Sequence, residues 1–376
     1  MKIVAAIDSF KGCATSAELN QAALAGLPKE IDTVSIPIAD GGEGSLAVVQ
    51  QALGGRLETA LVADPLGRKI CVPYLLTDLA GETTAVIEAA QVLGLNMITA
   101  VSDANARRAS SFGLGELIRI VLRRRPVVQQ IMIALGGSAT SDGGLGLLAG
   151  LLASPETTFV ANPLLQSAPL DLTLLAAARR RLAGVRLVGL PDVQALFSGS
   201  TGFAKVYATQ KGASPQTIRE LDQQATALRQ QVVTADQFDL DQLAGSGAAG
   251  GLGGMIALLG GSLSGGLTTL ASLTGLEAAL STADLVITGE GRIDAQTLTG
   301  KVPYGVARLA ERHHVPVLAL CGARSADIGI MERLTLGCFC IQAAPVSLAD
   351  AIDRQRTLAN VNRLTRELVQ VFCARE

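Results

Sequence analysis

The sequence predicts an α/β protein: a five-stranded, doubly wound parallel sheet assembled from both chain ends, with a large second α/β domain inserted between its second and third strands. Three observations carry this expectation. Short apolar, β-branched runs at residues 2–7, 33–38, 285–288, 317–320 and 338–341 have the pattern of buried parallel strands, and helical stretches separate them. Between the second and third of these runs lies a long block of different texture, opening with strand-like segments at 57–62, 69–76 and 83–88 that read as antiparallel. Several strands also end in the same kind of loop, where glycines mix with acids, hydroxyls and cations. At 376 residues the chain exceeds the usual single core. The expected domains are residues 1–60 with 276–376, and residues 61–275.

Composition removes several function classes. Hydrophobic residues make up 49% and charged residues 17%, which excludes a disordered chain. A formal charge of −2 supplies no basic field for nucleic acid or an anionic membrane. Aromatics at 3%, with no Trp, argue against stacking platforms for bases. The six cysteines are scattered, and Cys338 and Cys340 share one strand face without a second ligand pair, so a reduced, cytoplasmic protein without a zinc site is expected. Asp8 and Lys11 interrupt the first apolar run too early for a signal peptide, and residues 245–263 are too rich in Gly and Ser for a spanning helix. His313 and His314 are the only histidines, which argues against histidine acid–base chemistry and histidine metal ligation.

The elements follow in order. Strand 2–7 exits into Asp8-Ser9-Phe10-Lys11-Gly12, and Thr15-Ser16-Ala17-Glu18 forms a capping box for the next helix. Strand 33–38 exits into Asp40-Gly41-Gly42-Glu43-Gly44-Ser45. In the inserted block, Asp64-Pro65-Leu66-Gly67 makes a turn, residues 115–123 pattern as a helix, and 130–135 reads as a buried strand. That strand leads to Gly136-Gly137-Ser138-Ala139-Thr140-Ser141-Asp142-Gly143-Gly144, a small-residue loop whose successive amides suit one anion. Strand 185–190 is followed by Pro191 and Asp192, and Ser214-Pro215 starts a helix just after Gln210-Lys211-Gly212. Residues 245–250 match G-x-G-x-x-G, but no strand precedes them, so tight packing is the better explanation than a dinucleotide site. The most crowded exit is that of strand 285–288, expected to turn at Gly289-Glu290-Gly291 before Arg292, Asp294 and Thr297-Leu298-Thr299-Gly300-Lys301. Open α/β sheets bind ligands at such carboxyl ends, and these groups suit phosphates and hydroxyls.

Seven short motifs occur in a fixed order. They are Asp8-Ser9-Phe10-Lys11-Gly12, Ala39-Asp40-Gly41-Gly42-Glu43-Gly44, Asp64-Pro65-Leu66-Gly67-Arg68, and Gly136-Gly137-Ser138-Ala139-Thr140 with Asp142-Gly143-Gly144. Gln210-Lys211-Gly212, Gly247-Ala248-Ala249-Gly250-Gly251-Leu252-Gly253 and Ile287-Thr288-Gly289-Glu290-Gly291-Arg292-Ile293-Asp294 complete the set. Together they resemble the type I glycerate kinase family over nearly the whole chain. The resemblance implies ATP-dependent phosphorylation of D-glycerate, usually to 2-phosphoglycerate, by a flavodoxin-like domain carrying an inserted domain. Departures are present: Gln194-Ala195-Leu196-Phe197 follow Asp192-Val193 where the family has Thr-Asn-Pro-Leu. Cys13 stands where the family has Ser, Ser141 where it has Asn, and Thr209 where it has Pro, while 152–163 matches nothing recognisable.

Phosphoryl transfer is mostly positioning and charge neutralisation. Lys11, Lys211 and Arg292 are expected to hold phosphate or the substrate carboxylate, for which the Arg fork is well suited. Loop positions Gly41, Gly42, Gly136, Gly137, Ser138 and Ala139 are expected to supply amide donors, with Ser9 beside them. Hard oxygens for Mg²⁺ are offered by Asp40, Glu43, Asp192, Glu290 and Asp294, with Asp192 and Asp294 as the metal partners. One carboxylate accepts the substrate hydroxyl's proton, and Asp192 and Asp294 both remain open for that role. The expected activity is therefore glycerate phosphorylation at an interdomain cleft with ATP and Mg²⁺, by a chain that can also form a homodimer. The alternatives are a kinase for another small hydroxy acid, a catalytically weakened glycerate-binding relative, and a nicotinamide-dependent dehydrogenase using residues 245–250.

Overall fold

A computed structural model describes residues 1–374 except 126, 155 and 167–169. In chain order its strands are β1 (Lys2–Ile7), β2 (Asp32–Ser35), β3 (Arg56–Ala63), β4 (Lys69–Leu79), β5 (Glu82–Glu88) and β6 (Gln130–Ala134). Then come β7 (Arg186–Leu190), β8 (Ser262–Leu263), β9 (Leu285–Ile293), β10 (Val317–Arg324) and β11 (Gly337–Cys340). The chain forms two compact units, one of Met1–Asp40, Ala47–Ala52 and Gly266–Glu376, the other of Gly41–Leu46 and Leu53–Gly265.

The first unit holds a wholly parallel sheet in the order β2-β1-β9-β10-β11. Counted within the unit this is 2-1-3-4-5, the flavodoxin-like order. Alternating residues of β10 bury in two different cores, as the two-residue period of a strand requires. Leu318 and Leu320 pack with Ile3, Leu19, Val361 and Val369, so helices Ser16–Leu24 and Arg354–Cys373 cover that face. Ala319 and Cys321 pack with Ile293, Met331 and Cys338 on the other. The sheet is therefore wound on both sides.

The second unit holds a mixed sheet in the order β3-β4-β5-β6-β7-β8. β3, β4 and β5 are antiparallel, while β5 through β8 run parallel. Its core joins Tyr74, Ile87, Leu117, Ile133, Leu187 and Met255. Asp142 pins the start of helix Leu145–Leu152: it accepts from Ser111 N (2.7 Å), Ser111 Oγ (2.8 Å), Gly144 N (3.1 Å) and Gly146 N (3.2 Å). Burial raises the Asp142 pKa against the pull of these donors.

Two expectations are corrected. The boundary expected between residues 60 and 61 cuts through β3, which pairs with β4 along its whole length and so belongs to the second unit; the later boundary lies at 265 rather than 275. The strand expected to turn at Gly289 instead continues to Ile293, because β10 is long enough to pair with it as far as Arg324. Gly289 is needed there for close approach, since a Cβ would meet the Leu320 carbonyl oxygen at 2.3 Å. Among the described residues no helix is long and apolar enough to cross a membrane. All six cysteines are free thiols.

Candidate active site

In the first unit, β1 and β9 are joined beyond the β1 terminus by the Asp8 amide, which donates to Gly289 O at 2.9 Å. This places Asp8 and Glu290 at the carboxyl ends of neighbouring strands. Both carboxyls are buried, and both are pushed up in pKa. For Asp8 the causes are burial and then the Asp40 charge, opposed by Lys11. For Glu290 burial is opposed chiefly by Lys301, whose Nζ lies 3.4 Å away; Thr297 Oγ1 also donates to it, at 2.5 Å. A cavity of about 340 Å³ opens here, with Asp8, Lys11, Asp40, Glu290, Arg292 and Lys301 in its wall. Ser9 also lines it, with a buried hydroxyl that has no hydrogen-bond partner.

Arg292 and Asp294 take different parts. Arg292 projects outward, its side chain 67% exposed, with Nε 3.1 Å from Asp294 Oδ2. Asp294 caps the 3₁₀ turn Ala295–Thr299: Oδ1 accepts from Gln296 N at 2.9 Å, and the Asp294 amide donates to Thr297 Oγ1 at 3.1 Å. Its two oxygens thus have local structural partners.

In the second unit, a smaller cavity of about 130 Å³ is lined by Gly136, Gly137, Ser138, Asp192, Tyr207 and Lys211. Lys211 is 5% exposed, and Nζ donates to Thr140 O at 2.6 Å and to Ser138 Oγ at 3.4 Å. Burial lowers its pKa to about 8, against the charges of Asp192 and Asp142. Tyr207 is pushed up by burial and then by the Asp192 charge. Gly136 carries no side chain for a physical reason: a Cβ would lie 2.5 Å from Gly42 Cα and 2.8 Å from Asp192 Oδ2. The Gly136 amide donates to Gly41 O at 3.1 Å, so the 41–44 loop, the 136–138 loop and Asp192 converge.

The amides of these loops are less available than the sequence suggests. Gly136 N is used by Gly41 O, and Ala139 N donates to Leu93 O at 2.7 Å. Gly44 N and Leu46 N both donate to the buried carboxylate of Glu88, at 3.1 Å each. Charge on Lys211, more than a full ring of amides, is what this site offers an anion. Glu43 is exposed, and its charge acts on Glu88.

Three site residues escaped the sequence reading. Asp8 and Lys301 belong to motifs already singled out, and Asp8 sits at a strand exit as Glu290 does. Tyr207 ends the short helix Phe203–Tyr207, and nothing in the local sequence marks it. The 245–250 glycines do what packing asks: a Cβ on Gly247 or Gly250 would lie 2.0 Å from the carbonyl oxygen of Leu196 or Thr140. In the divergent 194–197 stretch Gln194 is exposed, and Phe197 is fully buried and edge-to-face on Phe203, ring centroids 5.4 Å apart.

The residues fit magnesium of one kind only. Among the described residues no three His, Cys, Asp or Glu side chains form a metal cage. Mg²⁺ in nucleotide enzymes takes one or two carboxylates, with phosphates and waters completing its shell. Asp8, Asp40 and Glu290 line one cavity, where the Asp40 charge raises the pKa of the other two, and one or two of these carboxylates fit that role.

Strand exits that gather carboxylates and lysines, on an α/β frame with small cavities, define an enzyme that handles phosphate and hydroxyl groups. The sequence profile of the Glycerate kinase family matches residues 3–373. Glycerate 2-kinase of Escherichia coli K12 is 35% identical over 344 residues, covering 89% of this chain and 88% of the relative. Glycerate kinase of Halalkalibacterium halodurans is 36% identical, covering 85% of each chain. A candidate glycerate kinase 2 from Salmonella typhimurium LT2, known from its crystal structure, superposes with a TM-score of 0.77 at 33% identity, covering 100% of this chain and 98% of that one. The chain belongs to the glycerate kinase family and is a kinase.

Proposed function

We propose that this kinase transfers the γ-phosphoryl group of ATP to the C2 hydroxyl of D-glycerate, with Mg²⁺, giving 2-phosphoglycerate and ADP. The observation that carries the reading is the small cavity where Lys211, Ser138 and Asp192 meet. It suits a three-carbon hydroxy acid: a buried cation for the carboxylate, and a carboxylate for the hydroxyl proton. The hydroxyl oxygen attacks the γ-phosphorus, the bond from phosphorus to the bridging oxygen breaks, and the hydroxyl proton passes to Asp192. Between the two carboxylates left open by the sequence, Asp192 is favoured because it lines the cavity that holds Lys211 and Ser138, and Asp294 does not. When bound, Mg²⁺ would supply charge neutralisation on the phosphates, and one or two of Asp8, Asp40 and Glu290 would hold it. Lys11 and Arg292, which line the cavity of the first unit, are the cations proposed to meet the phosphates.

An ADP-release assay over a panel of hydroxy acids tests the proposal, with phosphorus NMR reading the product. D-Glycerate is expected to be the preferred acceptor and 2-phosphoglycerate the product. Asp192→Asn is expected to lower kcat by roughly 10²–10⁴-fold with a smaller change in KM. Formation of 3-phosphoglycerate would refute the regiochemistry, and wild-type kcat in Asp192→Asn would refute the base.

A further inference from the structure

We propose that the nucleotide is held by the first unit, in the cavity at the ends of β1, β9 and β10, phosphates toward Lys11, Arg292 and Lys301 and base toward the apolar wall of Phe10, Ala351 and Ile352. This rests on the kinase reading above and assigns which cavity takes which substrate.

Position is the first argument. The strand order 2-1-3-4-5 reverses between β1 and β9, and ligands of open α/β sheets bind in the crevice such a reversal creates. Asp8 and Glu290 mark the two sides of that reversal, and both line the cavity. Size is the second. About 340 Å³ falls within the range of small-molecule pockets, whereas the Lys211 cavity holds about 130 Å³, too little for a nucleoside triphosphate.

Charge is the third, and it separates this cavity from one of similar size. Among the described residues, a groove of about 330 Å³ beside Leu148, Leu152 and Leu174 has Asp171 as its one charged lining residue, so it offers a triphosphate no cation. The β1/β9 cavity carries three cations (Lys11, Arg292, Lys301) against three carboxylates (Asp8, Asp40, Glu290). A bare triphosphate would meet as many like charges as opposite ones. A triphosphate bearing a divalent cation meets both sets with the right sign. Shape is the fourth. The far rim is the short helix Leu348–Ala351 with Ile352, where Leu348 is 76% and Ile352 45% exposed, an apolar edge that a base would cover.

Cys13 lines the same cavity, half-buried, with Sγ 3.2 Å from Thr357 Oγ1. It reports occupancy without turnover. The intact protein is treated with N-ethylmaleimide, and the Cys13 peptide is read by mass spectrometry, since the exposed thiols of Cys71, Cys340 and Cys373 react as well. The magnesium complex of the non-hydrolysable ATP analogue AMP-PNP is expected to slow Cys13 labelling, and D-glycerate alone is not. In parallel, Ala351→Trp fills the apolar wall and is expected to raise the AMP-PNP Kd by roughly tenfold or more, with the glycerate KM within about twofold. Melting confirms the variant's fold; if it fails to fold, Cys13 protection in the unaltered chain decides alone. Protection by glycerate and not by AMP-PNP, or an Ala351→Trp effect confined to glycerate KM, would overturn the assignment while leaving the kinase reading intact. A wild-type protein that neither binds AMP-PNP nor releases ADP with any hydroxy acid would overturn both.

Discussion

Replacing Lys211 by methionine separates the substrate role of the buried ammonium from its structural one. In the folded protein burial lowers the Lys211 pKa from 10.5 to about 8. At about 1.4 kcal/mol per unit, keeping the charged form buried below that pH costs roughly 3 kcal/mol. An amine with a depressed native pKa binds fewer protons than the unfolded chain between about 8 and 10.5, so stability rises as pH climbs through that window and is lowest beneath it. Lys211→Met removes this cost. It also strips a donor from Thr140 O and Ser138 Oγ, worth about 1–3 kcal/mol. The two nearly cancel, so Tm at pH 7 should shift by only a few degrees, and the alkaline rise in stability should flatten. Activity should respond much more. A charge-assisted contact to the glycerate carboxylate is worth about 1.5–3 kcal/mol, so glycerate KM should rise roughly 10–100-fold with kcat less affected. Wild-type kcat/KM should fall as pH rises past about 8, and Lys211→Arg, whose charge persists, should move that fall upward. Steady-state kinetics across pH 6–10 with urea melts read both effects. An unchanged glycerate KM and an unchanged alkaline fall in Lys211→Met would mean that Lys211 only ties residue 140 to residue 138.

Gly136→Ala should destabilise the protein by about 1–3 kcal/mol and lower kcat, because the new methyl meets Gly42 Cα and displaces Asp192; normal kcat in a folded variant would refute the placement of Asp192. Asp294→Ala should cost about 0.5–2 kcal/mol of stability through the lost cap, read by denaturant melts, with kcat much less reduced than in Asp192→Asn. For Asp8 the folded pKa is raised, so its contribution to stability is present in acid and lost as pH rises through that value. Asp8→Asn should accordingly raise the Tm of ligand-free protein at pH 7.5 and shrink its acid dependence, while weakening nucleotide binding; a lower Tm with the acid dependence intact would refute this. Activity should vanish in excess chelator and return with Mg²⁺ or Mn²⁺, and full turnover in chelator would remove the metal from the proposal.

Much of the α/β fold was legible because its signals are local. The apolar run Lys2–Ile7, the Thr15–Glu18 capping box and the start of the helix at Ser214-Pro215 depend on neighbours a few residues away, and each appears where the residues place it. The antiparallel β3–β4 pairing follows from the Asp64-Pro65-Leu66-Gly67 turn, where Asp64 Oδ1 accepts the amides of Leu66 and Arg68 at 2.9 Å each. The strand exits bearing Lys11, Asp40 and Glu290 could be picked out because carboxylates and lysines among glycines are conspicuous wherever an apolar run stops.

Other features belong to the tertiary structure because they are pairwise and distant. β9 runs on through Gly289, Glu290 and Gly291 because β10, built from residues more than twenty positions later, offers an edge as far as Arg324. Arg292 and Asp294 look alike as candidates in a string of letters, yet one projects into solvent and the other caps a turn. β3 joins the second unit by its pairing with β4. The phenol of Tyr207 stands beside Asp192 only once helix and strand exit are packed together. The depressed pKa of Lys211 and the raised pKa of Asp8 have the same origin: the charge is written in the sequence, but the water withheld from it is set by residues up to hundreds of positions away.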